Sequence, residues 1–385
     1  MVQFNLKQTQ ITKMKFLIIT HVEHSKKGNQ YFAYAPYILE MNIWLKHVDE
    51  VEIVAPLTNY EISKIDLDYK HPHINFNKIP DIQFTSISKS IDSLIKIPTI
   101  LKVIYKACQK AEHIHLRCPG NIGLLGCFVQ IFFPKKIKTA KYAGNWDPKS
   151  KQPISYNIQK FVLKNAFLTR NMQVLVYGQW ENQTKNVKSF FTASYSESEI
   201  QPLIKRNFDG PFKFVFIGTL VSGKGPLMAI QIVESLLKEG VTSELDIYGE
   251  GMLNQTLQEY VIENNLTSNI KLHGNVDRST LKSVLKNSDF LLLPSKSEGW
   301  PKAVAEAMFF GVIPITTNVS CLSWMLDHGR RGILISNDLK EAVGKIIAGI
   351  QNDNLLAMSV ASQQWSQKYT LEKFEDEIEN LLLKG

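Results

Sequence analysis

Short apolar runs, each bounded by polar turns and followed by a longer amphipathic stretch, recur along the chain. In the first half they predict strands at Lys15–Thr20, Glu50–Ala55, Ile114–Leu116, Ala140–Ala143, Gln173–Val176 and Phe190–Ser194, with helices notably at Tyr31–Lys46 and Ile158–Asn165. The rhythm restarts near Gly210-Pro211. Strands at Phe212–Ile217, Glu244–Tyr248, Ile270–Gly274, Phe290–Leu293 and Ile313–Thr316 alternate there with helices at Pro226–Glu239, Met252–Asn264, Arg278–Leu285 and Lys302–Phe310. Strand-then-helix alternation implies parallel sheets, so the fold class is α/β. A length of 385 residues with 44% hydrophobic content suffices for two cores. The expected division is a first domain over 1–205, a second over 206–360, and a closing helix within 361–385 that packs back towards the first. Amphipathic Leu371–Leu383 supplies that helix, and the polar stretch Glu197–Phe208 is the expected hinge.

The second half carries the densest candidate chemistry, in Ser297-Glu298-Gly299-Trp300-Pro301-Lys302-Ala303-Val304-Ala305-Glu306. It follows the apolar run Phe290–Leu293, and Pro301 suits a first helical position, where its missing N–H costs nothing. Glu298 then lies in a strand-to-helix loop and Glu306 about one turn inside the helix. Both carboxylates can face the crevice at the carboxyl end of a sheet, where open α/β folds bind ligands. Gly299 leaves room for a ligand beside the backbone, and the N–H groups near Gly299, Trp300 and Lys302 favour a phosphate. The plainer alternative makes Glu298 a cap and Glu306 a solvated surface residue.

A second ligand-binding pattern is Gly218-Thr219-Leu220-Val221-Ser222-Gly223-Lys224-Gly225, placed after a strand and before a helix. Its backbone N–H groups and one ammonium suit a diphosphate. Gly225 stands where a P-loop needs Ser or Thr for Mg²⁺, which disfavours a nucleotide-hydrolysing motor. The turn Tyr248-Gly249-Glu250-Gly251 lacks a third glycine and is weak evidence for a dinucleotide fold.

Charge changes the picture for the first half only. Residues 1–200 hold 26 Lys and Arg against 15 Asp and Glu, whereas residues 201–385 hold 18 against 21. The basic half should meet something anionic, such as phosphorylated lipid or an acidic bilayer. Lys96, Lys102, Lys106 and Lys110 interleave there with Leu94, Ile95, Ile97, Ile100, Leu101 and Ile104, a pattern that suits either an interfacial helix or a core helix with a cationic face, with Pro98 interrupting it. No aromatic-basic motif supports nucleic acid as a partner. Four cysteines without ligand spacing read as buried thiols in a reducing compartment, and no metal cluster is visible; Asp66-Leu67-Asp68 reads as a solvated turn. The run Gly123–Phe133 is too short to cross a bilayer, and polar residues 1–13 argue against a signal peptide, so a cytoplasmic protein is expected.

The string Phe214-Val-Phe-Ile-Gly218, Lys224-Gly225, Asp246-Ile-Tyr-Gly249-Glu-Gly251, Leu272-His-Gly274, Pro294-Ser295, Glu298-Gly299, Glu306-Ala307-Met308, Gly311 and Pro314 resembles, in order and approximate spacing, the GT4-type (group 1) glycosyltransferases. The resemblance covers nearly all of 210–350 and, more loosely, the first half. It implies a GT-B fold: two Rossmann-like domains facing a cleft, with the nucleotide-sugar donor mainly on the second and a glycan or lipid-linked acceptor mainly on the first. It further implies that Glu306 binds the nucleotide ribose, Glu298 contacts the donor sugar and Lys224 holds the diphosphate. Gly218, Thr219, Ser222, Gly223, Gly249, Gly299, Trp300, Pro301 and Lys302 complete the donor side.

Two departures stand out. Relatives usually place an arginine where this chain has Thr219, and Arg330, Arg331 or Lys302 are the candidates to compensate. A double-glycine turn common after the first strand is absent, leaving Gly28 and Asn29 to bring backbone donors to the cleft. On the acceptor side, His115 and Arg117 end one predicted strand, and Tyr142-Ala-Gly144-Asn145-Trp146-Asp147 ends the next. Asn145 and Asp147 stand where many relatives carry a His. Asp147 suits the orientation or deprotonation of an acceptor hydroxyl, or else an Asp-Pro turn.

The reading is therefore a metal-independent, cofactor-free, retaining glycosyltransferase of surface-polysaccharide assembly, touching an anionic membrane peripherally through its first domain. Its rivals are a nucleotide-sugar epimerase of the same fold and a catalytically silent nucleotide-sugar-binding protein.

Overall fold

The structure, a computed structural model, describes residues 13–63, 65–202, 206–351 and 354–383. The expected domain boundary at 205 and the polar lead at 1–12 lie outside the described residues. In the first lobe the parallel strands Ile74–Ile79, Glu50–Thr58, Lys15–Ile19, His113–Cys118, Ile137–Tyr142, Met172–Tyr177 and Val187–Phe190 lie side by side in that order. In the second lobe the order is Ile270–Gly274, Ser243–Tyr248, Phe212–Ile217, Phe290–Leu293, Ile313–Thr317 and Ile333–Ile335, all parallel. Both sheets place their third, second and first parallel strands before the fourth. The winding thus reverses between Lys15–Ile19 and His113–Cys118 in one lobe and between Phe212–Ile217 and Phe290–Leu293 in the other. Crevices open beyond the carboxyl ends of such strand pairs, where the helices on either side part.

The first lobe departs most from the sequence pattern. The stretch Tyr31–Lys46, expected to be one helix, is a strand, Gln30–Tyr34, followed by the helix Ala35–Leu45. Three aromatic residues in five suit the strand, and Pro36 in the helix's first turn sets the switch. This strand pairs antiparallel with His24–Lys27 across the two-residue turn Gly28–Asn29, where Gly28 has φ +59°. Asp66–Asp68 is a strand paired to Gln30–Tyr34, not a solvated turn. The strands Ile74–Ile79 and Ile333–Ile335 had no counterpart in the pattern, and the strand expected at Phe190–Ser194 is Val187–Phe190. The helix Ile87–Lys110 runs through Pro98. Its second half buries Ile100, Ile104, Ala107 and Cys108, while Ile87, Ile91, Leu94 and Ile95 are exposed.

The chain ties the lobes together after the second sheet. The helix Leu355–Ser366 packs on the second lobe, with Ser359 Oγ donating to the Gly311 carbonyl and Ser366 Oγ to that of Ala305. The helix Leu371–Leu383 returns to the first lobe: Glu375 pairs with Lys46 and His47, Glu377 with Lys188, and Phe374 packs on Phe190 and Phe191. The polar stretch expected to be a hinge is pinned at both described ends. Glu199 pairs with Arg278 and Lys282, and Arg206 donates to the carbonyls of Leu285, Ser288, Phe310 and Gly311.

Candidate active site

The loops Gly218–Gly225 and Pro294–Pro301 leave the two strands that flank the second lobe's reversal, so topology alone makes them neighbours. Gly225, at φ +73°, lets the first loop lie against the second: a Cβ there would sit 2.3 Å from the Pro294 carbonyl oxygen. The Lys296 N–H donates to the Gly223 carbonyl at 2.8 Å. Across this seam the Lys224 ammonium donates to both oxygens of Glu298, at 2.7 and 2.8 Å. Glu298 is buried, and its backbone is fixed by Ser320, whose Oγ accepts from the Glu298 N–H and donates to its carbonyl. Thr219, Ser222 and Gly223 form the exposed rim of the loop.

Gly249 supports the loop from beneath. It has φ +139°, and a Cβ would lie 1.9 Å from the Gly218 carbonyl oxygen, so the backbone of the glycine loop rests directly on this turn. Gly249, expected on the donor side, thus holds a packing position beneath the glycine loop.

Glu306 projects from the helix Lys302–Phe309, which starts where the apolar pattern put it, with Pro301 at its cap rather than at its first helical position. Its Oε1 accepts from Ser194 Oγ at 2.6 Å, and Arg278 donates to the Ser194 carbonyl. Burial raises the Glu306 carboxyl above the ordinary range, opposed by the Ser194 hydrogen bond and then by Lys302 and Arg278. The second motif carboxylate is thus met by a residue of the segment joining the lobes.

Gly299 and Trp300 are corrected by the structure. A Cβ on Gly299 would lie 2.4 Å from the Ala143 carbonyl oxygen of the first lobe, so the close approach inferred for a ligand is made by protein. Trp300 is buried among Tyr177 of the first lobe and Trp324, Trp365 and Tyr369. Both residues join the lobes at the cleft floor. Gly178 does the same from the other side, its absent Cβ making room for Cys321.

Asn145 and Asp147 reach the cleft from the first lobe. Asn145 Nδ2 donates to Ser297 Oγ at 3.5 Å across the lobes, and its Oδ1 accepts from the Asp147 N–H at 2.9 Å. Asp147 Oδ1 accepts from the Lys149 N–H, the hydrogen bond of an Asp-initiated turn. These residues, with Lys296, Ser297, Asn318 and Ser320, line an interlobe cavity of about 290 Å³. His115 is not among them. It is fully buried between Phe16 and Trp44, with Nδ1 2.8 Å from Thr139 Oγ1, and burial holds its pKa well below the usual imidazole range. The acceptor-side expectation for His115 therefore fails: Phe16 of the neighbouring strand and Trp44 of the helix Ala35–Leu45 cover it completely. Gly28 and Asn29 sit on an exposed hairpin tip rather than in a phosphate-binding turn after the first strand.

Arg117 belongs to a buried charge cluster, donating to Glu40 at 2.8 Å over the Tyr37 ring. Burial pushes the Glu40 carboxyl up, but Arg117, Lys141 and then Lys302 pull it down to about 2. Burial brings the Lys141 ammonium to about 7. Lys302, from the second lobe, therefore faces the first lobe's carboxylate. Arg330 and Arg331 both pair with Asp327, and Arg331 also stacks on Trp365. Sequence reasoning missed Ser194, Glu40, Lys141 and Lys296. Only Lys296 carried a signal, standing two residues before Glu298.

Residues 198–365 match the family model described as Glycosyl transferases group 1. An uncharacterized glycosyltransferase of Methanocaldococcus jannaschii is 30% identical over 171 residues, 43% of this chain and 46% of that protein. Protein CapJ of Staphylococcus aureus is 25% identical over 361 residues, 90% of this chain and 83% of CapJ. Further matches over shorter stretches carry names from amylovoran and colanic acid biosynthesis. The chain thus spans less than half of several relatives and most of one. Among solved structures, HepE of Anabaena in complex with UDP superposes with a TM-score of 0.66 at 14% identity, covering 97% of this chain and 100% of that one. This agreement concerns the fold, two Rossmann-like lobes in the GT-B arrangement. Residues 198–365 accordingly match the group 1 glycosyl transferases, within a chain whose fold is of the GT-B kind.

Proposed function

We propose that the protein moves a sugar from a nucleotide-diphosphate sugar to a hydroxyl of a glycan or lipid-linked acceptor, with retention at the anomeric carbon. The observation that carries this reading is the Lys224–Glu298 pair on the glycine loop: a cation placed for a diphosphate, held by the carboxylate next to where the sugar would lie. A donor entering the cleft would compete for Lys224 and free Glu298 to accept sugar hydroxyls. Lys224 would neutralise the departing diphosphate, and Glu306, once ionised, would accept the ribose hydroxyls. Asn145 and Asp147 would hold the acceptor across the cavity. We propose that no metal is needed, because protein cations and loop N–H groups meet the leaving group's charge.

The setting, surface-polysaccharide assembly on a lipid-linked acceptor, is a proposal supported by the relatives' names and by the first lobe's surface. The helices Ile87–Lys110, Asn121–Val129 and Ile154–Lys164 pack side by side. With the short segments that flank them, they expose Ile91, Leu94, Ile95, Phe132, Phe161 and Phe167 on the basic lobe, where Lys102, Lys106 and Lys151 are also exposed. An apolar face bearing lysines suits reversible adsorption to an anionic bilayer. No described helix is long and apolar enough to cross a membrane.

The test is a thermal-shift screen of nucleotide sugars, followed by product detection with lipid-linked acceptors. Transfer to an acceptor supports the reading. Conversion of the donor sugar without acceptor would establish the epimerase instead, and binding without any turnover would establish a silent binding protein.

A further inference from the structure

Thr219 leaves the glycine loop without the guanidinium that the family resemblance leads one to expect, and the structure offers another cation at the same place. Lys296 is anchored at the loop by its own backbone, whose N–H donates to the Gly223 carbonyl at 2.8 Å. Its Nζ lies 3.3 Å from Ser222 Oγ on the exposed rim. The same residue lines the interlobe cavity beside Asn145 and Asp147. The other cations near the motif are engaged: Lys224 with Glu298, Arg330 and Arg331 with Asp327, and Lys302 within the field of Glu40 and Glu306. Among the described residues, no ion pair joins Lys296 to a carboxylate.

We propose that Lys296 is a binding residue for the donor's diphosphate, taking the place of the cation absent at Thr219 and completing a clamp with Lys224. The inference rests on the donor site proposed above and adds a residue to it. The physical case is one of reach and charge. A lysine stem starting from a fixed backbone on the second loop brings its ammonium to the first loop's hydroxyl, on the exposed rim. A diphosphate lying along the glycine loop would then meet one ammonium on each side, with Ser222 Oγ as a neutral donor between them. Lysine serves as well as arginine for a phosphate approached as a point charge. The loop needs no second cation at position 219 if the neighbouring loop supplies it.

The experiment is calorimetric titration of the full chain with UDP, GDP, ADP and dTDP, and with the matching nucleosides, in Lys296→Ala, Lys296→Arg and the double variant Lys296→Ala/Thr219→Arg. Lys296→Ala should weaken the preferred diphosphate by about 10- to 100-fold, the value of one charged hydrogen bond, and leave the nucleoside unchanged. Lys296→Arg should retain affinity, and arginine at position 219 should restore most of the loss. Undiminished diphosphate affinity in Lys296→Ala would overturn the proposal, as would an equal loss for diphosphate and nucleoside, which signals damage to the pocket. Failure of the unaltered protein to bind any of the four diphosphates would overturn the donor site itself, a result separate from the failure of Lys296 alone.

Discussion

Glu298 and Glu306 share one motif and have opposite surroundings. Glu298 is paired with an ammonium, whereas among the described residues Glu306 has a hydroxyl as its hydrogen-bond partner, and burial raises its pKa. Glu306→Ala should weaken nucleotide-sugar binding by about 1.5–3 kcal/mol, the worth of a hydrogen bond to a charged group, as read by calorimetry. A pH dependence follows with a definite sign. Ribose hydroxyls donate to the ionised carboxylate, so acidification weakens the donor, and the raised pKa moves that loss to higher pH than an ordinary glutamate would give. The Ser194 hydrogen bond favours the ionised form. Ser194→Ala should therefore shift the acid limb of donor affinity upward in pH, and a limb that stays in place would detach Ser194 from Glu306.

Between elements, the lobes meet through missing side chains. Gly299 accepts the Ala143 carbonyl and Gly178 accepts Cys321, so each lobe carries a notch for the other. Gly299→Ala should force the lobes apart by the space of a methyl group. The expected result is nucleotide affinity close to that of the unaltered protein, because the proposed donor contacts lie on the second lobe, with turnover lowered at least tenfold because donor and acceptor no longer meet. Steady-state kinetics beside calorimetry would separate the two effects.

How far the chain could be read depended on the same distinction between local and nonlocal causes. The second sheet was legible because buried parallel strands such as Phe290–Leu293 are continuous apolar runs. The first lobe's edge was not, because Gln30–Tyr34 and Ile74–Ile79 are partly polar strands stabilised by their neighbours. The pairing of Lys224 with Glu298 follows from adjacent loops at the reversal, which the strand order shows and the motif string does not. The burial of His115 and Trp300 depends on which elements cover them, and no spacing reveals that.

The whole molecule divides its labour by charge. Basic residues and an exposed apolar face belong to the lobe proposed to meet the acceptor, and the acidic balance to the lobe proposed to hold the donor. The full chain should sediment with vesicles containing anionic lipid at low salt, more than with neutral vesicles, and should be released as salt shortens the screening length. Phe161→Ser with Phe167→Ser should weaken that adsorption while leaving nucleotide binding unchanged. Equal sedimentation with neutral vesicles would leave the lysines as solubilising charge.

The central claim is transfer driven by stabilisation of a departing diphosphate, and one measurement addresses it directly: the number of nucleoside diphosphates released per acceptor glycosylated, for the unaltered protein and for Lys224→Ala. The account predicts one released per acceptor modified, an α-linked product from an α-linked donor, and a fall in turnover in Lys224→Ala larger than its fall in donor affinity. Diphosphate release without acceptor modification, or an unchanged turnover in Lys224→Ala, would contradict it.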